Sequence, residues 1–151
     1  MDKKIFKKAL EEVFRKFGFQ YESNAFYHDD GSIITVITLQ KSNFSNSFYI
    51  NFGFLIKEES PDMIYPKEYD SDVFGRFTLE LNGECCQSID LDTVIIDDLL
   101  SAVTQFMNIN IKPVLEGCLA KYFEINPKAV HTMSLRAKKY FKFNLNSSGN
   151  R

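Results

Sequence analysis

Residues 25–56 read AFYHDDGSIITVITLQKSNFSNSFYINFGFLI, and β-branched and aromatic residues crowd there between clusters of Asp, Gly, Ser and Asn. That pattern predicts three successive antiparallel strands, Ala25 to His28, Ser32 to Lys41 and Ser47 to Ile56. In the third, Phe48, Ile50, Phe52, Phe54 and Ile56 share one face, while Tyr49, Asn51, Gly53 and Leu55 share the other. One face therefore requires a core, and the other is expected to meet water or a partner. The second strand divides into Ile33, Thr35, Ile37 and Leu39 against Ile34, Val36, Thr38 and Gln40. Asp29-Asp30-Gly31 is the turn between the first two strands: Gly31 tolerates positive φ, and short acidic side chains bond nearby amides. The turn lacks the longer series of oxygen ligands that an EF-hand needs. His28 beside it reads as a strand-end side chain.

Working outward, the chain before this sheet predicts a helix from Lys3 to Lys16. Ile5, Phe6, Ala9, Leu10, Val13 and Phe14 form its apolar stripe, and Gly18 stops it. After the sheet, Glu58 to Asp72 reads as a long surface connection interrupted by Pro61 and Pro66. Its Met63, Ile64, Tyr65 and Tyr69 are expected to fold back over the sheet edge. Phe77, Leu79 and Leu81 alternate with polar residues as a strand. Asn82-Gly83 then turns the chain into Glu84 to Ser88, in a register that sets Leu79 opposite Cys86. A second long helix is expected from Thr93 to Asn108, with Ile96, Leu99, Leu100, Val103, Phe106 and Met107 on its packing side. Pro113 is expected to begin a shorter helix carrying Val114, Leu115, Cys118, Leu119 and Tyr122. Asn126-Pro127 is expected to cap a last, basic one, in which Val130, Met133, Ala137, Tyr140 and Phe141 recur at helical spacing. The fold class is α+β: one domain over residues 1–151, with an antiparallel sheet of about five strands covered by helices on one face.

The chain of 151 residues carries 15 Phe and 7 Tyr, which suits an aromatic core rather than a disordered chain. A formal charge of -2 gives no general attraction to nucleic acid or anionic lipid. Charge is uneven, with twelve acidic and two basic residues from Glu58 to Asp98, against seven basic and two acidic from Lys112 to Lys142. The lysine-broken N-terminus does not read as a signal peptide, and no run of apolar residues is long enough to span a membrane. The expected location is the cytoplasm, without membrane association. Cys85, Cys86 and Cys118 lack the spacing of a redox motif or zinc knuckle and are expected to be reduced, one or two of them buried.

The segment QKSNFSNSFYINFGF (residues 40–54), with the N-terminal helix, Phe17-Gly18-Phe19 and the FYHDDG turn, resembles the family called domain of unknown function 4304. The resemblance covers roughly residues 3 to 125 and rests on Gln40, Lys41, Ser42, Phe48, Asn51 and Gly53. It implies a small α+β domain without an established catalytic set, so no active-site role carries over. The bacterial setting of such domains beside toxin or defence genes implies an immunity or protein-binding role.

The residues support a protein-binding surface in which Gln40, Tyr49 and Asn51 converge on one sheet face. Acidic Glu58, Glu59, Asp62, Glu68, Asp70 and Asp72 would steer a basic partner, and Tyr65 and Tyr69 would add contact area. Nucleic-acid binding through Arg136, Lys138, Lys139 and Lys142 is one alternative, although their distribution around the helix is that of a solvated face. An enzyme is the other. No phosphate cradle, metal motif or nucleophile elbow is present, no cofactor is implied, and neither Cys86 nor His131 has an evident catalytic partner.

Overall fold

The computed structural model describes residues 1–140. The first helix, α1 (Lys3–Lys16), begins where the Asp2 side chain accepts from the Lys4 N–H and buries Phe6, Leu10, Val13 and Phe14 at helical spacing. It ends in a Schellman turn: Gly18 N donates to Arg15 O, Phe19 N donates to Phe14 O, and Gly18 has φ +90°. A Cβ on Gly18 would also meet His28 Cδ2 at 3.2 Å, so the turn seats the helix against the sheet.

The strands follow as β1 (Gln20–Glu22), β2 (Ala25–Asp29), β3 (Ile33–Lys41), β4 (Ser47–Ile56) and β5 (Val73–Arg76). They form an antiparallel path in the order β1-β2-β3-β4-β5. The three strands expected from residues 25–56 are present, and the β3–β4 ladder runs from Ile33 opposite Ile56 to Lys41 opposite Phe48. Asp29 and Asp30 close the intervening turn as expected, Asp29 Oδ1 accepting from Gly31 N at 2.9 Å and Asp30 Oδ1 accepting from Ile33 N at 2.7 Å. Strand β1 was not apparent in the sequence, because its turn is Ser23-Asn24. Both residues hold positive φ without a glycine to announce it.

The expected single strand from Phe77 to Leu81 is replaced by two elements. Phe77 N donates to Ile50 O at the end of β5, and β6 (Leu79–Leu81) leaves the main sheet to pair with β7 (Glu84–Cys86) as a separate hairpin. Asn82 and Gly83 supply the positive-φ turn, and Leu79 does face Cys86. Cys86 is only half-buried, while Cys85 and Cys118 are exposed, so none of the three thiols is a fully buried core residue. Next comes β8 (Ile89–Asp90), which pairs with β4 at Ser47 and Phe48.

Helix α2 (Ile96–Phe106) starts three residues later than expected because the Asp90 carbonyl accepts from Thr93 and Val94, holding that stretch as a turn. Pro113 does not open a separate helix. The chain widens into a π turn over Met107–Ile111 and passes without a break into α3 (Lys112–Leu115). The wider turn accommodates a ring that has no N–H and would crowd the carbonyl four residues back. Gly117, φ +92°, makes the real interruption before α4 (Leu119–Ile125). Asn126 and Pro127 do stand at the N-cap and in the first turn, but of a short 3₁₀ turn, Pro127–His131, and without a side-chain cap bond, since Asn126 Nδ2 donates to Asn110 Oδ1 at 2.9 Å. Helical residues 135–140 start afresh at Ser134, whose Oγ accepts from Ala137 N at 3.0 Å. Phe141 and Lys142 lie outside the described residues.

Helices cover one sheet face, as expected. Ring contacts fix the layer, with Phe6 on Phe48 at 5.0 Å, Phe14 on Phe26 at 5.0 Å, Phe106 near Phe52 at 5.9 Å and Tyr122 on Phe54 at 5.1 Å. The second face departs from the sequence reading. Instead of meeting solvent throughout, it buries Ala25, Tyr27, Ile34, Val36 and Leu55, with Met63 of the 57–72 connection packed against them. Gly53 permits this approach, since a Cβ there would sit 2.6 Å from Ser71 Cβ and 3.1 Å from Glu68 Cα. The connection thus folds over the face rather than only its edge.

Candidate functional site

The covering connection stops at Glu68 and Tyr69, and beyond it the second sheet face stays open. Strand register decides what is exposed there. Thr38, Asn51 and Arg76 form a row across β3, β4 and β5, while Gln40 stands opposite Tyr49. Period-two alternation turns all five side chains onto the same face. Asn51 Nδ2 donates to Gln40 Oε1 at 2.9 Å, Arg76 Nε donates to Asn51 Oδ1 at 2.9 Å, and Arg76 Nη2 donates to Gln40 Oε1 at 3.0 Å. The guanidinium carbon lies 4.1 Å from the centroid of the Tyr49 ring, a geometry that combines stacking with cation–π attraction. Thr38 Oγ1 donates to Glu68 Oε2 at 2.9 Å, which pins the rim of the connection to the same row.

Gln40, Asn51, Arg76 and Glu68 line a cleft of about 540 Å³ with Tyr69, Phe74, Gln87 and Thr132 around them. Tyr69 is 78% exposed and Phe74 49% exposed, so two aromatic surfaces flank a rigid polar floor. Of the residues that the sequence singles out, Gln40, Asn51, Glu68 and Tyr69 line it, and Tyr49 joins them through its stack on Arg76. The sequence alone does not single out Arg76 or Phe74. Their strand is four residues long and follows a proline-interrupted acidic stretch, and the only signal was the backward continuation of the Phe77 alternation through Gly75 and Val73.

The acidic residues divide. Glu58 and Pro61 line a different depression with Gly31 and Ser32, and Glu58, Glu59 and Asp62 are exposed at that end of the sheet. Five residue steps along β4 separate Asn51 from Ile56, about 17 Å at 3.3–3.4 Å each. Asp70 instead caps its own turn, its Oδ2 accepting from Lys67 N at 3.0 Å. Asp72 is fully buried: Oδ2 accepts from Ile56 N at 2.8 Å and Oδ1 from Ser134 Oγ at 2.7 Å and from Arg136 Nε. Tyr65 packs on Tyr27, with centroids 5.2 Å apart, away from the open cleft. Burial, followed by the charges of Glu68 and Asp70, pushes the Tyr27 hydroxyl up to about 12.

Arg136, one of the cations available to a nucleic-acid partner, is thus drawn into the Asp72 clasp and also bonds Asp70 O at 3.1 Å. Lys138 and Lys139 remain exposed. Burial pushes the Cys86 thiol up, reinforced by Cys85 and Glu84, which is opposite to the shift that activates a nucleophile. Among the described residues, no group of three or more His, Cys, Asp or Glu side chains is arranged to hold a metal ion, and no helix is long and apolar enough to cross a membrane.

In comparison with known proteins, the family model described as Domain of unknown function (DUF4304) aligns with residues 10–117, well over half of the chain and within the span of the sequence resemblance. No curated protein and no solved structure matches.

Proposed function

We propose, from the premise that the chain belongs to the DUF4304 family, that it is a non-enzymatic protein-binding domain acting in the cytoplasm through the open half of its second sheet face. The observation that carries this reading is the cleft itself, where Gln40, Asn51 and Arg76 are locked by mutual hydrogen bonds between exposed Tyr69 and Phe74. A floor already ordered loses little side-chain freedom on association, and Tyr and Arg are the residue types that concentrate binding energy at interfaces. The acidic Glu58, Glu59 and Asp62 stand apart from this floor and serve at most as a long-range field for an approaching partner.

The test begins with affinity capture using the folded protein, followed by direct binding measurements on purified candidates. Phe74→Asp and Tyr69→Ala are each expected to weaken a genuine partner by about tenfold or more, with circular dichroism showing that each variant keeps the fold. Charge reversal at Glu58, Glu59 and Asp62 should change only the salt-dependent association rate. Absence of any direct protein partner, or a partner indifferent to Phe74→Asp and Tyr69→Ala, overturns the reading.

A further inference from the structure

We infer that Arg76 is a carboxylate receptor, and that the cleft takes an acidic side chain from an extended segment of the partner. The inference rests on the docking reading above and adds the chemistry that the site selects. Arg76 Nε can donate only to an oxygen, so Asn51 must turn Oδ1 toward it; Asn51 Nδ2 then donates to Gln40, whose Oε1 also accepts from Arg76 Nη2. Gln40 Oε1 accepts two of these bonds and Asn51 Oδ1 one, so the network itself presents mainly donors to a ligand: the Gln40 Nε2 amide and the guanidinium N–H groups beyond the two already engaged.

The charge is also unneutralised at close range. Among the described residues Arg76 makes no ion pair, and its immediate partners, Asn51, Gln40 and Tyr49, are all neutral. A stacked guanidinium with a planar fork still available matches a carboxylate better than a neutral amide. Glu68, fixed on Thr38 at the opposite rim, sets a limit on that preference. It repels a second negative charge and offers an acceptor to a main-chain N–H, so the cleft suits one carboxylate on a polypeptide rather than a polyanion. β5 is the last strand of the sheet path, and an extended segment along it would direct alternate side chains toward this face.

The experiment uses the whole chain, isotopically labelled, titrated with N-acetylglutamate methylamide and, separately, with N-acetylglutamine methylamide, N-acetylglycinate and inorganic phosphate. The glutamate probe should saturably shift the Arg76 Nε–H and the Gln40 and Asn51 side-chain amide signals, and the glutamine probe should bind about tenfold more weakly. Arg76→Met should abolish the response, and Arg76→Lys, which keeps the charge but loses the fork, should recover only part of it. Backbone spectra of both variants report whether the fold is retained. Equal binding of the two methylamides, or no saturable shift, overturns the assignment. Stronger binding of acetylglycinate would make the receptor one for a chain terminus, and stronger binding of phosphate would make it one for a free anion; either overturns the acidic side chain as ligand. Partner binding lost in Phe74→Asp but retained in Arg76→Met rejects the carboxylate and leaves the docking face standing.

Discussion

Replacing Gly53 with Ala should separate the connection from the sheet it covers. The added Cβ would lie 2.6 Å from Ser71 Cβ and 3.1 Å from Glu68 Cα. Since carbon atoms rest at about 3.5–4.0 Å, Ser71 must retreat by about 1 Å and the Glu68 backbone by about 0.5 Å. Neither movement is free, because Ser71 Oγ donates to Lys67 O and Glu68 accepts from Thr38. Overpacking of this kind costs about 1–3 kcal/mol, while the reduced freedom of the unfolded chain returns about 0.4–1 kcal/mol. A net loss of about 1.3 kcal/mol should lower the thermal midpoint by about 3–5 °C in a chain of this size. Urea unfolding followed by circular dichroism measures the loss, and side-chain amide spectra should show Asn51 and Arg76 signals moving as the Glu68 rim is displaced. Introducing Ser71→Gly removes the closer obstacle, so the double variant should recover about 1 kcal/mol relative to additivity. An unchanged midpoint for Gly53→Ala, or strict additivity with Ser71→Gly, would refute the steric argument.

Two further perturbations address buried polar groups. The Tyr27 hydroxyl is buried without a hydrogen-bond partner, so Tyr27→Phe should raise stability by about 1 kcal/mol in urea titration. Because the hydroxyls of Tyr27 and Tyr122 are both pushed up to about 12 by burial, their contribution is present below the ordinary value near 10 and is lost as pH rises through 12; Tyr27→Phe should flatten that alkaline decline, and an identical slope in the variant would contradict it. Asp72→Ala strands the Ile56 amide and the Arg136 cation, and should cost about 3 kcal/mol while exposing residues 132–136 to protease sooner than the sheet; protection equal to the parent would count against the clasp.

The fold was legible where the chain repeats a local period. Helix α1 and the β3–β4 hairpin follow directly from the Phe6-Leu10-Val13-Phe14 stripe and from the alternation Phe48 to Ile56, because one buried face selects one phase. Legibility failed where a long-range contact overrides local preference. Pro113 reads as a helix start, yet a π turn carries the helix through it. Asn126-Pro127 reads as the start of the last helix, yet it opens only a 3₁₀ turn, and the helix begins at Ser134, held by Asp72, 62 residues away. The candidate site was half legible for the same reason: Gln40, Tyr49 and Asn51 share a face by alternation alone. Arg76 joins them only through the β4–β5 register, and Asp70 and Asp72 leave the acidic set only because the chain folds back to use them.

The connection over the second face ends partway along the strands, and this has a consequence for how such a domain can diverge. The helical layer and its aromatic core occupy the opposite side of the sheet, so the area left open depends on how far one loop extends past Ser71 and Gly53. Lengthening it by a few residues would roof over Asn51 and Arg76, and shortening it would bare Val36 and Tyr27. Loops tolerate such changes in length far better than packed layers do. Recognition can therefore be retuned by insertions and deletions in a single stretch of chain, with the scaffold beneath inherited intact.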